Sequence, residues 1–303
     1  MIPDLVISLG NNVASYGMKP FLRNNSNRFR HISIDKSGRY RDVFKGLTDI
    51  FECSPSYFFK YFAENASDTN INNEQYYNEW NNLAESIVLP EFEFSNFYVG
   101  QKLASVIPAN SLIHLAILNS TRVMQFFKLQ DNIRVFSNVG ALGIDGCLST
   151  FIGQAAVSKE LAFCMIGDLS FFYDMNAAGI RHVGRNVRII LLNNGGGSEF
   201  HFFMDEKEIP TLNNFICAKH HKTAKGWIES LGFKYYSAQT KEELNTCIQD
   251  FGKESDVPLF LEVFTDQEND AKLARAFYQS LAPKPTIVDQ AKSVIKKIIK
   301  IVK

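Results

Sequence analysis

The sequence has no surplus of charge of either sign: 32 basic and 32 acidic side chains cancel over 303 residues. A chain without net charge lacks the broad field that draws in nucleic acid, so no polyanion is predicted as a partner. Cysteine is scarce. Cys53, Cys147, Cys164, Cys217 and Cys247 are odd in number, widely spaced and include no C-x-x-C pair. That excludes a zinc knuckle and a disulfide framework, and it reads as small buried side chains in a reducing compartment. No apolar run reaches the ~18–20 residues of a bilayer-spanning helix. The N-terminus shows neither a basic region nor a small-residue cleavage site, which predicts a soluble, cytoplasmic protein. Internal repeats and proline-rich or collagen-like segments are absent. The 26 phenylalanines do not interleave with basic residues, so they read as core and not as a base-stacking platform.

What is present is the material of a globular protein. The apolar fraction is 46%, and the length suggests roughly two domains. Residues 3–10 are a short apolar run closed by glycine, and 30–35 alternate like a second strand, with a helical pattern between them. A buried strand entered this early predicts a piece of a larger domain. Residues 65–82 turn polar and asparagine-rich, as a linker does. After them, strand patterns at 111–117, 133–138, 161–167, 187–193 and 257–264 alternate with helical ones at 97–107, 145–158, 171–182, 224–231 and 241–251. That alternation predicts an α/β fold with a parallel, doubly wound sheet covered on both faces. Residues 289–303 carry five lysines against one aspartate, with apolar positions along one side. They predict a basic amphipathic helix, docking on protein or on a membrane surface, or else frayed. His220-His221 has no third ligand in view and reads as a surface pair.

The chemistry concentrates between Gly167 and Phe200, in Gly-Asp-Leu-Ser-Phe-Phe-Tyr-Asp and then Asn-Asn-Gly-Gly-Gly. Asp168 closes one predicted strand and Asn193-Asn194 close the next. In a parallel sheet both ends open on one edge, so carboxylate and amide are expected in one crevice. Asp and Asn oxygens with a glycine carbonyl are hard ligands suited to Mg²⁺, whose remaining positions usually go to phosphate oxygens and water. The N–H groups of Leu169 and Ser170, opening a helix, would favour an anion beside it. Gly195–Gly197 would let the backbone come close to a ligand.

This spacing resembles the metal-binding motif of thiamine-diphosphate enzymes. Upstream, Phe136-Ser-Asn-Val-Gly-Ala-Leu-Gly-Ile-Asp-Gly is similar to a block of the MenD family, the 2-succinyl-5-enolpyruvyl-6-hydroxy-3-cyclohexene-1-carboxylate synthases of menaquinone biosynthesis. So are Gly167–Asp174 with Asn193–Gly197, and the opening Asp-Leu-Val-Ile-Ser-Leu-Gly with His-Ile-Ser-Ile-Asp. The likeness runs to about Leu281. It implies the C-terminal part of a partial Rossmann-like central domain at 1–64, a polar linker at 65–90, the complete pyrophosphate-binding domain at 91–282 and the tail at 283–303.

By that resemblance Asp168, Asn194 and the Gly196 carbonyl hold Mg²⁺. Gly167, Leu169, Ser170 and Ser120 hold the diphosphate of thiamine diphosphate. Ile144 wedges between the cofactor rings, and the Gly143 carbonyl accepts from the amino group. The substrate pocket falls at Met124, Val139, Ser198 and Glu199. Here the chain departs from the family: Val139 and Met124 stand where the family has arginines, with Arg122 displaced by two positions, and Ser198-Glu199 replace apolar residues. Arginine forks are hard to replace as carboxylate partners, so a less acidic 2-oxo acid is expected. The glutamate that activates the cofactor belongs to a pyrimidine-binding domain with no counterpart here. The resemblance therefore implies a homo- or hetero-oligomer with that domain on another chain or subunit, and no catalytic residue in this one. Three readings remain open: a decarboxylating carboligase portion, a simple 2-oxo acid decarboxylase, and a non-catalytic cofactor-binding subunit or fragment.

Overall fold

The computed structural model describes residues 1–10, 17–65, 74–140, 142–202, 204 and 209–281. The predicted tail helix at 283–303 lies outside the described residues. The chain divides into two compact units, Met1–Pro90 with Val139–Ala141, and Glu91–Asn138 with Leu142–Lys303.

In the first unit, β1 (Leu5–Leu9), β2 (Arg30–Ile34) and β3 (Leu47–Phe51) form a parallel sheet in the order β1-β2-β3. The central strand is the buried one: His31, Ile32, Ser33 and Ile34 are all covered. Helix α1 (Met18–Asn24) presents Leu22 to a cluster with Phe29 and Phe44. Helix α2 (Pro55–Asn65) presents Phe58 to Ile32 and Ile34. The polar stretch read as a linker carries helix α3 (Gln75–Glu85), none of whose residues is buried.

The second unit is a six-stranded, all-parallel sheet. Its strands are β4 (Leu112–Leu115), β5 (Arg134–Ser137), β6 (Ala162–Gly167), β7 (Val187–Asn193), β8 (Lys234–Ala238) and β9 (Leu259–Phe264), in the order β5-β4-β6-β7-β9-β8. Burial follows position. Every residue of β7 is covered, as a strand covered on both faces requires, whereas the edge strands β5 and β8 each carry two exposed positions. Around the sheet run α4 (Asn96–Val106), α5 (Asn119–Met124), α6 (Cys147–Ala156), α7 (Asp168–Asp174), α8 (Lys225–Ser230), α9 (Lys241–Cys247) and α10 (Gln267–Leu281). Helices α4, α9 and α10 start on side-chain caps: Ser95 accepts from Tyr98 N, Thr240 from Glu243 N and Asp266 from Asn269 N. Among the described residues no helix is long and apolar enough to cross a membrane.

β7 carries one charge into this core. Arg188 is fully buried, and its guanidinium donates to the carbonyls of Phe251, Arg185, Val187 and Lys253 at 2.7–3.2 Å. These bonds tie the start of β7 to the turn before β9. Replacing Arg188 with Ala strands the carbonyls and opens a cavity. The second unit is expected to lose about 3 kcal/mol or more in urea unfolding, and a loss below ~1 kcal/mol would show that the guanidinium does not staple the strand.

Candidate functional site

Strands β4, β6 and β7 are neighbours, so the segments leaving their C-terminal ends converge on one sheet edge. Asp168 leaves β6 and is buried, 3% exposed. Its Oδ1 accepts from Leu169 N at 2.6 Å, and its Oδ2 accepts from Gly195 N at 2.8 Å and Gly196 N at 3.0 Å. The aspartate and the glycine loop that the sequence set far apart are therefore in direct contact. Gly195 and Gly196 have φ of +83° and +154°, which turns both amides onto one carboxylate oxygen. A Cβ at Gly196 would stand 2.7 Å from both Cys217 O and Gln267 Oε1.

Asn193 and Asn194 point different ways, as successive strand residues do. Asn193 Nδ2 donates to Lys222 O at 2.8 Å and to Glu262 Oε1 at 2.6 Å. Glu262 is wholly buried and also accepts from Thr223 Oγ1, Tyr235 OH and Ala224 N. Burial, and after it the Glu262 carboxylate, push the Tyr235 hydroxyl well above its ordinary range. Asn194 Nδ2 donates to Asp270 Oδ2 at 3.3 Å, which orients the amide and its oxygen. Asp270 also accepts from Asn96 N at 2.9 Å and Thr265 Oγ1 at 2.7 Å. Burial raises its carboxyl to about 6.

The other expected positions fall as follows. Ser170 Oγ donates to the Ile144 carbonyl, so those two residues meet, and Gly143 immediately precedes Ile144. At Gly167 an added Cβ would meet nothing within 4 Å, so the backbone there borders open space. Ser120 is buried at the start of α5, behind Leu118, whose φ of +66° and ψ of −114° are rare for a side chain with a Cβ. Ser198 Oγ accepts from Asn119 Nδ2 at 2.9 Å, and Glu199 forms an ion pair with Arg122. Met124 is buried, its sulfur next to Gly100 of α4. Val139 groups with the first unit. A small cleft is lined by Asn96, Asn119, Arg122, Ser198, Asp270 and Tyr278, among others.

One expectation is corrected. His220 is not a surface residue: its side chain is 7% exposed, with Nε2 3.3 Å from Asp168 Oδ2. His221 is exposed. The sequence carried no local sign of this, because the loop that folds His220 onto Asp168 is held by long-range bonds such as His220 N to Gly195 O. Asp270 and Glu262 were missed for the same reason. Among the described residues no three His, Cys, Asp or Glu side chains converge as a metal site. Beside Asp168, the hard donors at this edge are neutral oxygens.

The raised Asp270 carboxyl has a stability consequence. Its folded pKa of about 6 lies above the unfolded 3.8, so protonation favours the folded chain. That stability is fully present below pH 3.8 and is lost as pH rises through 6, by about 3 kcal/mol at most. Urea unfolding of the second unit between pH 4 and 7 measures it. Asp270→Asn is expected to flatten this part of the profile, and an unchanged slope would assign it to other groups.

No family model matches the chain. Curated relatives do. A 2-succinyl-5-enolpyruvyl-6-hydroxy-3-cyclohexene-1-carboxylate synthase of Bacteroides fragilis is 38% identical over 284 residues, 93% of this chain and 50% of the relative. The synthase of Phocaeicola vulgatus is 37% identical over 286 residues, 94% of this chain and 51% of its own length. That of Desulfotalea psychrophila is 32% identical over 266 residues, 88% and 48%. The chain thus spans about half the length of the curated relatives it matches. Across that span, it belongs to the family of the 2-succinyl-5-enolpyruvyl-6-hydroxy-3-cyclohexene-1-carboxylate synthases.

Proposed function

We propose that this chain is the thiamine-diphosphate- and Mg²⁺-binding portion of a synthase-like enzyme that decarboxylates a 2-oxo acid and transfers the resulting carbanion to an acceptor. The observation that carries this reading is the joining of Asp168 to Gly195 and Gly196, with Asn194 anchored beside them on Asp270. The donor set fits the cation. Asp168, the Asn194 amide oxygen and the Gly196 carbonyl are hard oxygens, and only one of them is charged. A divalent ion held by one carboxylate keeps a net positive charge, which a diphosphate completes. The open space at Gly167 is where such a ligand would come close to the backbone, and Leu169, Ser170 and Ser120 would hold it.

When bound, thiamine diphosphate supplies an electron sink for breaking the carboxylate bond and re-adding the carbon fragment. This chain's residues bind and orient. Ser170 fixes the Ile144 carbonyl, which would set the Ile144 side chain as the apolar wedge between the cofactor rings, with the Gly143 carbonyl accepting from the amino group. The doubly wound pyrophosphate-binding domain (91–282) would follow a partial Rossmann-like domain (1–64) and a linker, with a basic tail at 283–303. A pyrimidine-binding domain on another chain or subunit would contribute the activating glutamate, in a cytoplasmic homo- or hetero-oligomer serving menaquinone-type synthesis.

The ion pair of Arg122 with Glu199 favours a second element of this reading. Arg122 is the arginine displaced from the family position, and an internal carboxylate already neutralises it. The donor acid is accordingly proposed to be less acidic than 2-oxoglutarate.

Asp168→Ala removes the charged ligand. Calorimetric affinity for thiamine diphosphate with Mg²⁺ is expected to fall by more than about 100-fold while the fold persists, and unchanged affinity would overturn the assignment. In the complete enzyme with its pyrimidine-binding domain, kcat/KM is expected to favour pyruvate over 2-oxoglutarate. A tenfold preference for 2-oxoglutarate, about 1.4 kcal/mol, would show that other residues meet its second carboxylate.

A further inference from the structure

His220 is a buried donor without an acceptor, and everything around it holds it in that state. The backbone N–H of Lys222 donates to its Nδ1 at 3.1 Å. A ring nitrogen that accepts carries no proton, so the neutral ring bears its proton on Nε2. Nε2 is buried and has no hydrogen-bond partner. It lies 3.3 Å from Asp168 Oδ2. That oxygen is already met by the amides of Gly195 and Gly196.

The ring is not free to turn away. Its own backbone N–H donates to Gly195 O at 2.9 Å, and Phe172 stands edge-on to it, centroids 5.4 Å apart at 87°. The following residue but one, Lys222, is fastened through its carbonyl to Asn193. Thr223 and Ala224 are fastened to the buried Glu262. A buried donor kept unpaired by so many fixed neighbours is uncommon in folded proteins, where nearly all such groups find partners. Its natural partner is a ligand.

The geometry points to His220 as a further anion-binding residue of this site: we propose that Nε2–H donates to an oxygen of the phosphate-bearing ligand held beside Asp168. The inference rests on the proposed function, which supplies that ligand, and it adds a residue outside the metal and diphosphate set read from the sequence. Direct metal ligation by Nε2 is a different outcome, since it requires the other tautomer and the loss of the Lys222 bond.

The test uses the full chain and magnesium pyrophosphate as the probe, with Mg²⁺ alone as control. His220→Phe keeps a ring against Phe172 and removes the donor. His220→Gln places an amide donor at comparable reach. In calorimetry His220→Phe is expected to weaken magnesium pyrophosphate binding about tenfold or more, His220→Gln to stay near wild type, and neither to change the affinity for Mg²⁺ alone. In ¹⁵N spectra of the wild-type ring, Nε2 is expected to carry the proton, and its signal to shift when magnesium pyrophosphate is added. Wild-type affinity in His220→Phe would overturn the inference. So would an equal loss for Mg²⁺ alone, which would reduce His220 to a positioning residue for Asp168. If His220→Phe does not fold, an Nε2 signal unmoved by magnesium pyrophosphate overturns it instead. Failure of the wild-type chain to bind both magnesium pyrophosphate and thiamine diphosphate would instead bring down the proposed function, and this inference with it.

Discussion

One buried carboxylate organises the second unit's functional edge. Asp168 stands where β6 ends, and an unpaired carboxylate there would be too unfavourable to keep. Its compensation comes from the backbone of the next strand's exit, two successive glycine amides turned onto one oxygen. Successive N–H groups converging this way form a concave anion nest, which residues with a Cβ do not readily build at φ of +83° and +154°. The glycines serve that contact first. The exit of β7 is therefore fixed by the charge at the exit of β6, and neither strand end has its shape alone.

Two further buried carboxylates extend the same logic. Glu262 on β9 takes Asn193, and Asp270 on α10 takes Asn194. Strand alternation sends the paired asparagines to opposite sides, so a dipeptide that reads as one motif has two jobs. Asn193 secures the loop at Lys222 that brings His220 to Asp168. Asn194 is set by a carboxyl that also holds the first turn of α4 through Asn96 N. The residue proposed to meet the cation is thus connected to the packing of α4 and α10, elements that carry none of the proposed metal or diphosphate ligands themselves.

The strands were legible because parallel strands covered on both faces read as apolar runs: 161–167 and 187–193 coincide closely with β6 and β7. β8 escaped notice because Lys234-Tyr235-Tyr236-Ser237 is an edge sequence, with its tyrosines bonded to Glu262 and Asp250 and not packed as a run. Helix α7 is shorter than the pattern at 171–182, because the chain tightens at Met175–Gly179 into a narrower turn. At the site, Asp168 with the glycines was readable because strand order alone places adjacent strand exits together. Asp270, Glu262 and His220 were not, since each arrives from a segment whose sequence is ordinary and whose placement is decided by contacts far along the chain.

Charge accounting at this edge separates two kinds of site. Arg122 and Glu199 satisfy each other, both about four-fifths covered, and so add little net field to the cleft they border. Among the described residues, Asp168 accepts from backbone amides, which are neutral donors. Neutral donors stabilise a carboxylate by hydrogen bonds without the opposing charge that a guanidinium partner would bring, which suits a cation. The unpaired Nε2–H of His220 beside it is the matching feature for an anion. A carboxylate met by neutral amides and an unpaired ring donor 3.3 Å from it are together complementary to a cation and an anion arriving as a pair. Neither ion alone would satisfy both groups.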